Sequence, residues 1–210
     1  VRPERAEEDG MQVQRLRIRT PSHELVRKDR RPLAGAATAG VSWTPVRPLL
    51  ADANDLAVLL ERMPPPDDAG RREMKETIAG WRAVLGERGI VAPWGFAGVF
   101  NAAAEPVGMD RLYAMPFEEP DEYAALMEGL AAAEADYNAV LAAAGAAAVG
   151  IQGHIAGGQS VGPDFFRERV LPWERRVVGA IHAAGAFTVY HNCGHARSLY
   201  EVYRQLGMTA

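Results

Sequence analysis

Apolar positions recur along this chain at two spacings, and the spacing of each stretch predicts its element. Residues 11–19, MQVQRLRIR, set apolar and β-branched side chains among arginines. This predicts a strand with Val13, Leu16 and Ile18 inward, one slip of phase being absorbed by a bulge. A turn at Thr20-Pro21-Ser22-His23 and a returning strand over 24–28 complete a β-hairpin, whose arginines form a solvated face. Small and prolyl residues over 34–48 predict an irregular crossing pinned by Trp43. Leu56, Leu59 and Leu60 place a helix over 54–63, capped by Asp52 or Asn54 and stopped by Pro64-Pro65-Pro66. Met74, Ile78, Trp81 and Leu85 predict a longer helix closed by Gly89, with Trp81 packed in the core.

Residues 90–100, IVAPWGFAGVF, read as a buried strand and its loop. Helices follow over 109–113 and 120–144, the second marked by Tyr123, Leu126, Leu130, Tyr137 and Leu141 and ended by Gly145. A small apolar strand over 146–151 runs into a glycine-rich loop over 152–160, QGHIAGGQS. From about residue 163 a helix turns Phe166, Val170, Val177, Val178 and Ile181 inward, and Pro172 bends or breaks it. A third apolar strand over 186–190 precedes a last helix over 198–206. Short apolar strands joined through helices predict a parallel α/β sheet with its strands buried on both faces. Open doubly wound sheets and closed barrels share this pattern, and both carry their chemistry in loops after the strands' C-terminal ends. Trp94, Gln152, His154, His191 and Cys193 all fall there on this reading. The chain divides into 1–48, hairpin and crossing, and 49–210, the α/β part.

Composition removes several function classes. The net charge of -4 argues against a nucleic-acid partner, whose footprint is a basic face. No apolar stretch is long enough to span a membrane, no signal pattern opens the chain, and a single cysteine suits a reducing compartment, so the expected location is cytoplasmic. Neither GxGxxG nor GxxxxGK[ST] is present to hold a nucleotide.

The chemistry concentrates at FTVYHNC, residues 187–193. In an extended chain residues two apart point the same way, so His191 and Cys193 share one space and form a two-toothed chelate suited to zinc. The other reading of the pair is a buried cysteine beside a capped histidine. Gln152 and His154 either contact a small-molecule substrate or cap their loop. Trp94 and Phe96 either line a pocket mouth or pack as aromatic core. His23 and His182 read as surface residues with no evident partner.

The run Ser160-Val161-Gly162-Pro163-Asp164-Phe165-Phe166-Arg167-Glu168-Arg169-Val170-Leu171-Pro172-Trp173, then Ala184-Gly185, then His191-Asn192-Cys193-Gly194, resembles the uroporphyrinogen decarboxylase superfamily. It is closest to that superfamily's branch of cobalamin-dependent methyltransferases. Arg19-Thr20-Pro21 and Gly95-Phe96-Ala97-Gly98 are similar as well. The resemblance implies a (β/α)8 TIM barrel, of which this chain holds about strands 3 to 5 with their helices. A whole barrel takes about 250 residues. Val1 in place of Met, and an end where another strand should begin, give the same expectation of an internal fragment.

Two chemistries compete within the family. True decarboxylases act on a tetrapyrrole without metal and resemble FDSWAG where this chain has Gln152-Gly153-His154-Ile155-Ala156-Gly157. The methyltransferase branch carries His-x-Cys-Gly, matched by His191 and Cys193. It implies a zinc ion with a further cysteine from a later strand, beyond Ala210, and a corrinoid protein as partner. The methyl group would move between that corrinoid and a thiol or pterin acceptor. His195 stands where the family usually has asparagine, behind the ligands. A barrel that only binds, without catalysis, is the remaining alternative.

Overall fold

The chain is described by a computed structural model covering residues 3–19, 23–33, 41, 43–51, 53–61 and 66–210, with the side chains of Ala53, Asn54 and Phe96 excepted. The turn at Thr20-Pro21-Ser22, most of the crossing, the caps expected of Asp52 and Asn54, and Pro64-Pro65 lie outside the described residues.

An antiparallel sheet forms the N-terminal part, in the order β1 (Glu4–Glu8), β2 (Met11–Arg19), β3 (Glu24–Pro32) and β4 (Thr44–Arg47). The predicted hairpin is there and is longer than expected, running from Met11 opposite Pro32 to Arg19 opposite Glu24. β1 was not anticipated. Its turn is Asp9-Gly10, both at positive φ, the conformation that two-residue hairpins favour. No bulge interrupts β2; the irregularity lies between Lys28 and Asp29, opposite β4. The phase slip has another cause. Val13 belongs to one face of β2, while Leu16 and Ile18 belong to the other, where Ile18 packs on the core and pairs with Leu25. The arginines face carboxylates: Arg15 pairs with Glu8, and Arg17 and Arg19 with Glu24 at 2.8 Å each. Such exposed pairs contribute little, because water screens them and two long side chains must be held in place. The Arg31 guanidinium lies 4.5 Å over the Trp43 ring.

The helical part begins with α1 (Ala53–Glu61) and α2 (Asp68–Leu85). Asp67 caps α2 by accepting from the Gly70 N–H at 2.8 Å, and the helix ends at Gly86, φ 54°, three residues before the expected Gly89. Ile78 is its only fully buried residue; Trp81 is 51% exposed, so it is not core. Then come β5 (Trp94–Ala97), α3 (Val99–Val107), α4 (Met109–Glu118), α5 (Pro120–Ala143) and β6 (Ala148–Gln152). A short α6 (Pro163–Phe165) leads through one wide π-turn, 166–170, into α7 (Leu171–Ala183). Pro172 explains the turn. It has no N–H to bond back four residues, and the Leu171 N–H instead reaches five back, to the Phe166 carbonyl. β7 (Phe187–His191) and α8 (Tyr200–Tyr203) follow.

β5, β6 and β7 pair in that order, all parallel. The backbone then extends the sheet, because the Ala210 N–H donates to the Thr188 carbonyl and the Tyr190 N–H to the Ala210 carbonyl, at 3.1 and 2.8 Å. Helices α5 and α7 cover one face, burying Val149, Ile151, Thr188 and Tyr190. The expectation of burial on both faces holds for β6, buried from Ala148 to Ile151, and fails for β7. β7 alternates strictly, leaving Phe187 64% and Val189 38% exposed on the other face, beside Trp94 at 54%. Among the described residues no helix is long and apolar enough to cross a membrane.

Phe166 is fully buried in the π-turn and meets Tyr203 edge-on, ring centroids 5.2 Å apart. Phe166→Ala is therefore expected to cost about 3–5 kcal/mol in urea unfolding, and the half-exposed Trp81→Ala distinctly less.

Candidate active site

Parallel pairing brings the strand ends level: Ala97 lies opposite Gln152, and Gln152 opposite His191. Two further bonds close this rim, from the Gly98 N–H to the Gln152 carbonyl at 2.6 Å and from the Gly153 N–H to the His191 carbonyl at 2.9 Å. Gln152, His191 and Cys193 are exposed there, and Cys193 is a free thiol. The reading of Cys193 as a buried packing residue does not hold.

Trp94 is the first residue of β5 rather than part of the loop after it. Its ring lies across Gly150, where an added Cβ would come within 2.2 Å of the indole, and reaches the His191 imidazole edge-on at 5.7 Å. Trp94 is thus an element of the open face and not aromatic core. Phe96 lies on β5, but its side chain is outside the described residues.

The loops after β6 and β7 are tied together by Gln159, which the sequence reading passed over. Its Nε2 donates to the His154 carbonyl at 3.2 Å and its Oε1 accepts from the His195 N–H at 3.1 Å. The Gly158 N–H donates in turn to the His195 carbonyl at 2.7 Å. His195 is therefore held by its backbone, while its imidazole makes no hydrogen bond among the described residues. Asn192 turns inward, donating to the Tyr203 hydroxyl at 2.6 Å. Its Oδ1 accepts from the Gly194 N–H at 2.8 Å, which makes a tight turn around Cys193. His154 sits beside buried Asn101 of α3, with Nδ1 3.0 Å from the amide Nδ2. The other two histidines do have partners: His23 Nε2 meets Asp55 Oδ1 at 2.7 Å, and His182 lies 3.5 Å from the Thr209 hydroxyl.

Below the rim lies a polar cluster that was not anticipated. Glu174 of α7 is fully buried, and its Oε1 accepts from the Phe100 N–H at 3.3 Å, capping α3. Among the described residues its Oε2 has no hydrogen-bond partner, and neither have Asn138 Oδ1 and the Tyr190 hydroxyl. Gly98 makes room for Glu174, since an added Cβ would stand 2.7 Å from Oε1. Glu134 of α5, 3% exposed, lines a cavity of about 250 Å³ with Leu16, Arg27, Ala97 and Asn101. Burial pushes the Glu174 carboxyl up to about 7, against the opposing pull of the Phe100 and Val99 N–H groups. Burial, then the nearby Glu174, raises Glu134 to about 8. Burial also lifts the Tyr190 hydroxyl well above its ordinary value. A signal existed in the sequence. Glu174 continues the stripe Phe166, Val170 toward Val177, and Glu134 with Asn138 continues Leu126, Leu130 toward Leu141, so these polar residues occupy core positions.

No group of three or more His, Cys, Asp or Glu converges as a metal site among the described residues. His191 and Cys193 suit a borderline-soft ion in kind, one nitrogen and one sulfur exposed at the same strand end, and supply two donors of the usual four.

Residues 46–210 match the family model described as uroporphyrinogen decarboxylase (URO-D). The chain belongs to this family. No curated protein matches it. A solved structure described as a methyltransferase from Methanosarcina mazei is similar in fold, with TM-score 0.58 and 22% identity over 68% of this chain. The chain spans 42% of the length of that structure. In this URO-D family chain the rim of β5, β6 and β7 is where the distinctive polar side chains gather.

The buried acids set a pH dependence. Both hold protons in the folded state that the unfolded chain, with carboxyls near 4.5, has released. Their stabilisation is full below about pH 4.5 and is lost as pH rises through about 7 to 8. Ion-paired Glu8, Glu24 and Glu119 act oppositely: Lys28, Arg19 and Arg111 respectively hold their carboxyls low, and that stability is lost on acidification. Stability is expected to peak at mildly acid pH. Glu174→Gln should flatten the alkaline fall in urea unfolding measured between about pH 5 and pH 9; an unchanged slope would show that Glu174 does not titrate there.

Proposed function

We propose that the chain is part of a (β/α)8 barrel, with β5, β6 and β7 as consecutive strands and the bare face as its interior, and that it serves methyl transfer between a corrinoid protein and a thiol or pterin acceptor. One observation carries the reading: an imidazole and a free thiol, two residues apart, stand exposed at the C-terminal end of β7. The family match, the fold likeness to a methyltransferase, and the apolar face left by helices on one side only support it.

In this reading His191 and Cys193 hold zinc, together with a donor outside the described residues. Zinc so held lowers the proton affinity of a substrate thiol, making it a nucleophile at neutral pH. The protein's own residues orient and shield. Trp94 packs edge-on against the His191 ring and fixes its plane. The Asn192 turn and the Gln159 bridge hold the backbone on both sides of Cys193. Gln152 and His154, on the neighbouring strand and loop, face the acceptor's polar groups, and Trp94 covers its apolar part.

Demethylation of methylcobalamin in the presence of a thiol, followed by the corrinoid's absorbance, tests the reading on the intact protein. Cys193→Ala and His191→Ala are each expected to remove bound zinc and to lower the rate by more than the about 10–100-fold that loss of a partner behind a metal ligand costs. Absence of zinc together with turnover of uroporphyrinogen would establish tetrapyrrole decarboxylation instead.

A further inference from the structure

Asn101 is 7% exposed, and both ends of its amide are in use. Oδ1 accepts from the Ile155 N–H at 2.9 Å, and Nδ2 lies 3.0 Å from Nδ1 of His154. A backbone N–H can only donate, so the oxygen end of the amide must face Ile155 and the NH2 end must face the imidazole. Nδ1 of His154 therefore accepts. A neutral imidazole whose Nδ1 accepts carries its proton on Nε2.

The surroundings leave little freedom to reverse this. The Tyr113 hydroxyl donates to the Ile155 carbonyl at 2.8 Å, so the peptide after the one that Asn101 grips is held as well. The His154 carbonyl accepts from both the Gly157 N–H and Gln159 Nε2, each at 3.2 Å. α3, which carries Asn101, is anchored at its first turn on buried Glu174.

We propose that Asn101 is a positioning residue that presents His154 to the substrate space as a hydrogen-bond donor through Nε2–H, selecting for a ligand with an acceptor oxygen such as a carboxylate or carbonyl. This deepens the reading above, in which the loop after β6 lines the substrate pocket. It also separates His154 from the ion. A histidine that ligates a metal through one nitrogen donates its other N–H to an acceptor. Here the neighbour of Nδ1 is itself a donor, so His154 is wired for a substrate oxygen and not for zinc.

Long-range 1H–15N correlation on histidine-labelled protein at about pH 8, above the ordinary imidazole range, reads the tautomer directly. His154 signals, identified by their loss in His154→Gln, are expected to show an unprotonated Nδ1 and a protonated Nε2. Asn101→Asp keeps an acceptor for the Ile155 N–H and puts a second carboxylate oxygen against the ring, which should move the proton to Nδ1. A proton on Nδ1 in the unsubstituted protein, a mixture of tautomers, or an unchanged tautomer in a folded Asn101→Asp overturns the proposal. If the aspartate variant does not fold, the spectrum of the unsubstituted protein still decides. The readout uses neither metal nor turnover, so failure of methyl transfer and failure of this assignment are separate results.

Discussion

The bonds from the Gly98 N–H to the Gln152 carbonyl and from the Gly153 N–H to the His191 carbonyl bring the ends of three parallel strands to one level, and each polar feature of the rim hangs from one of those ends. Parallel pairing alone does not give this arrangement. It also needs short β-to-α connections, and a single residue, Gly98, separates β5 from α3. That tight exit brings the first turn of α3 over Glu174 and delivers Asn101 to the loop after β6. The residues that hold the rim are thus drawn from α3, α7 and two loops, while those exposed on it come from β6, β7 and the residues just beyond them.

The two faces of the parallel sheet are treated differently. One is packed on α5 and α7 and hides, among aliphatic side chains, the carboxyls of Glu134 and Glu174 with Asn138 and Tyr190. Buried polar atoms without partners are costly, and among the described residues Glu174 Oε2, Asn138 Oδ1 and the Tyr190 hydroxyl are all left so. Raised carboxyl values are the expected response, because the neutral acid loses less on leaving water than the carboxylate does. The other face carries Trp94, Phe187, Val189 and His191 into the open.

Much of this was legible before any coordinates, and the failures have physical causes. The order of helices and strands from α4 to α8 followed from periodicity, because long amphipathic stripes and glycine stops are strong local signals. α3 was missed. VFNAAAEPV is almost uniformly small and apolar, which is as compatible with a buried strand as with a buried helix. β1 was missed although Asp9-Gly10 marked its turn, since ERAEE has no apolar alternation of its own. His191 and Cys193 stood out because their residue types are rare and chemically specific. Asn101, Gln159 and Glu174 did not, since their roles depend on which backbone groups the fold brings within 3.5 Å of them.

The methyl-transfer reading turns on whether one ion is gripped by an imidazole and a thiolate of this chain. Cobalt(II) substituted into the intact protein answers that most directly, since sulfur ligation gives an intense thiolate-to-cobalt charge-transfer band in the near ultraviolet. The band is expected in the unsubstituted protein, weakened in Cys193→Ser and shifted in His191→Ala. Cobalt bound with no such band, or a band indifferent to both substitutions, would contradict the assignment of His191 and Cys193 to a shared metal.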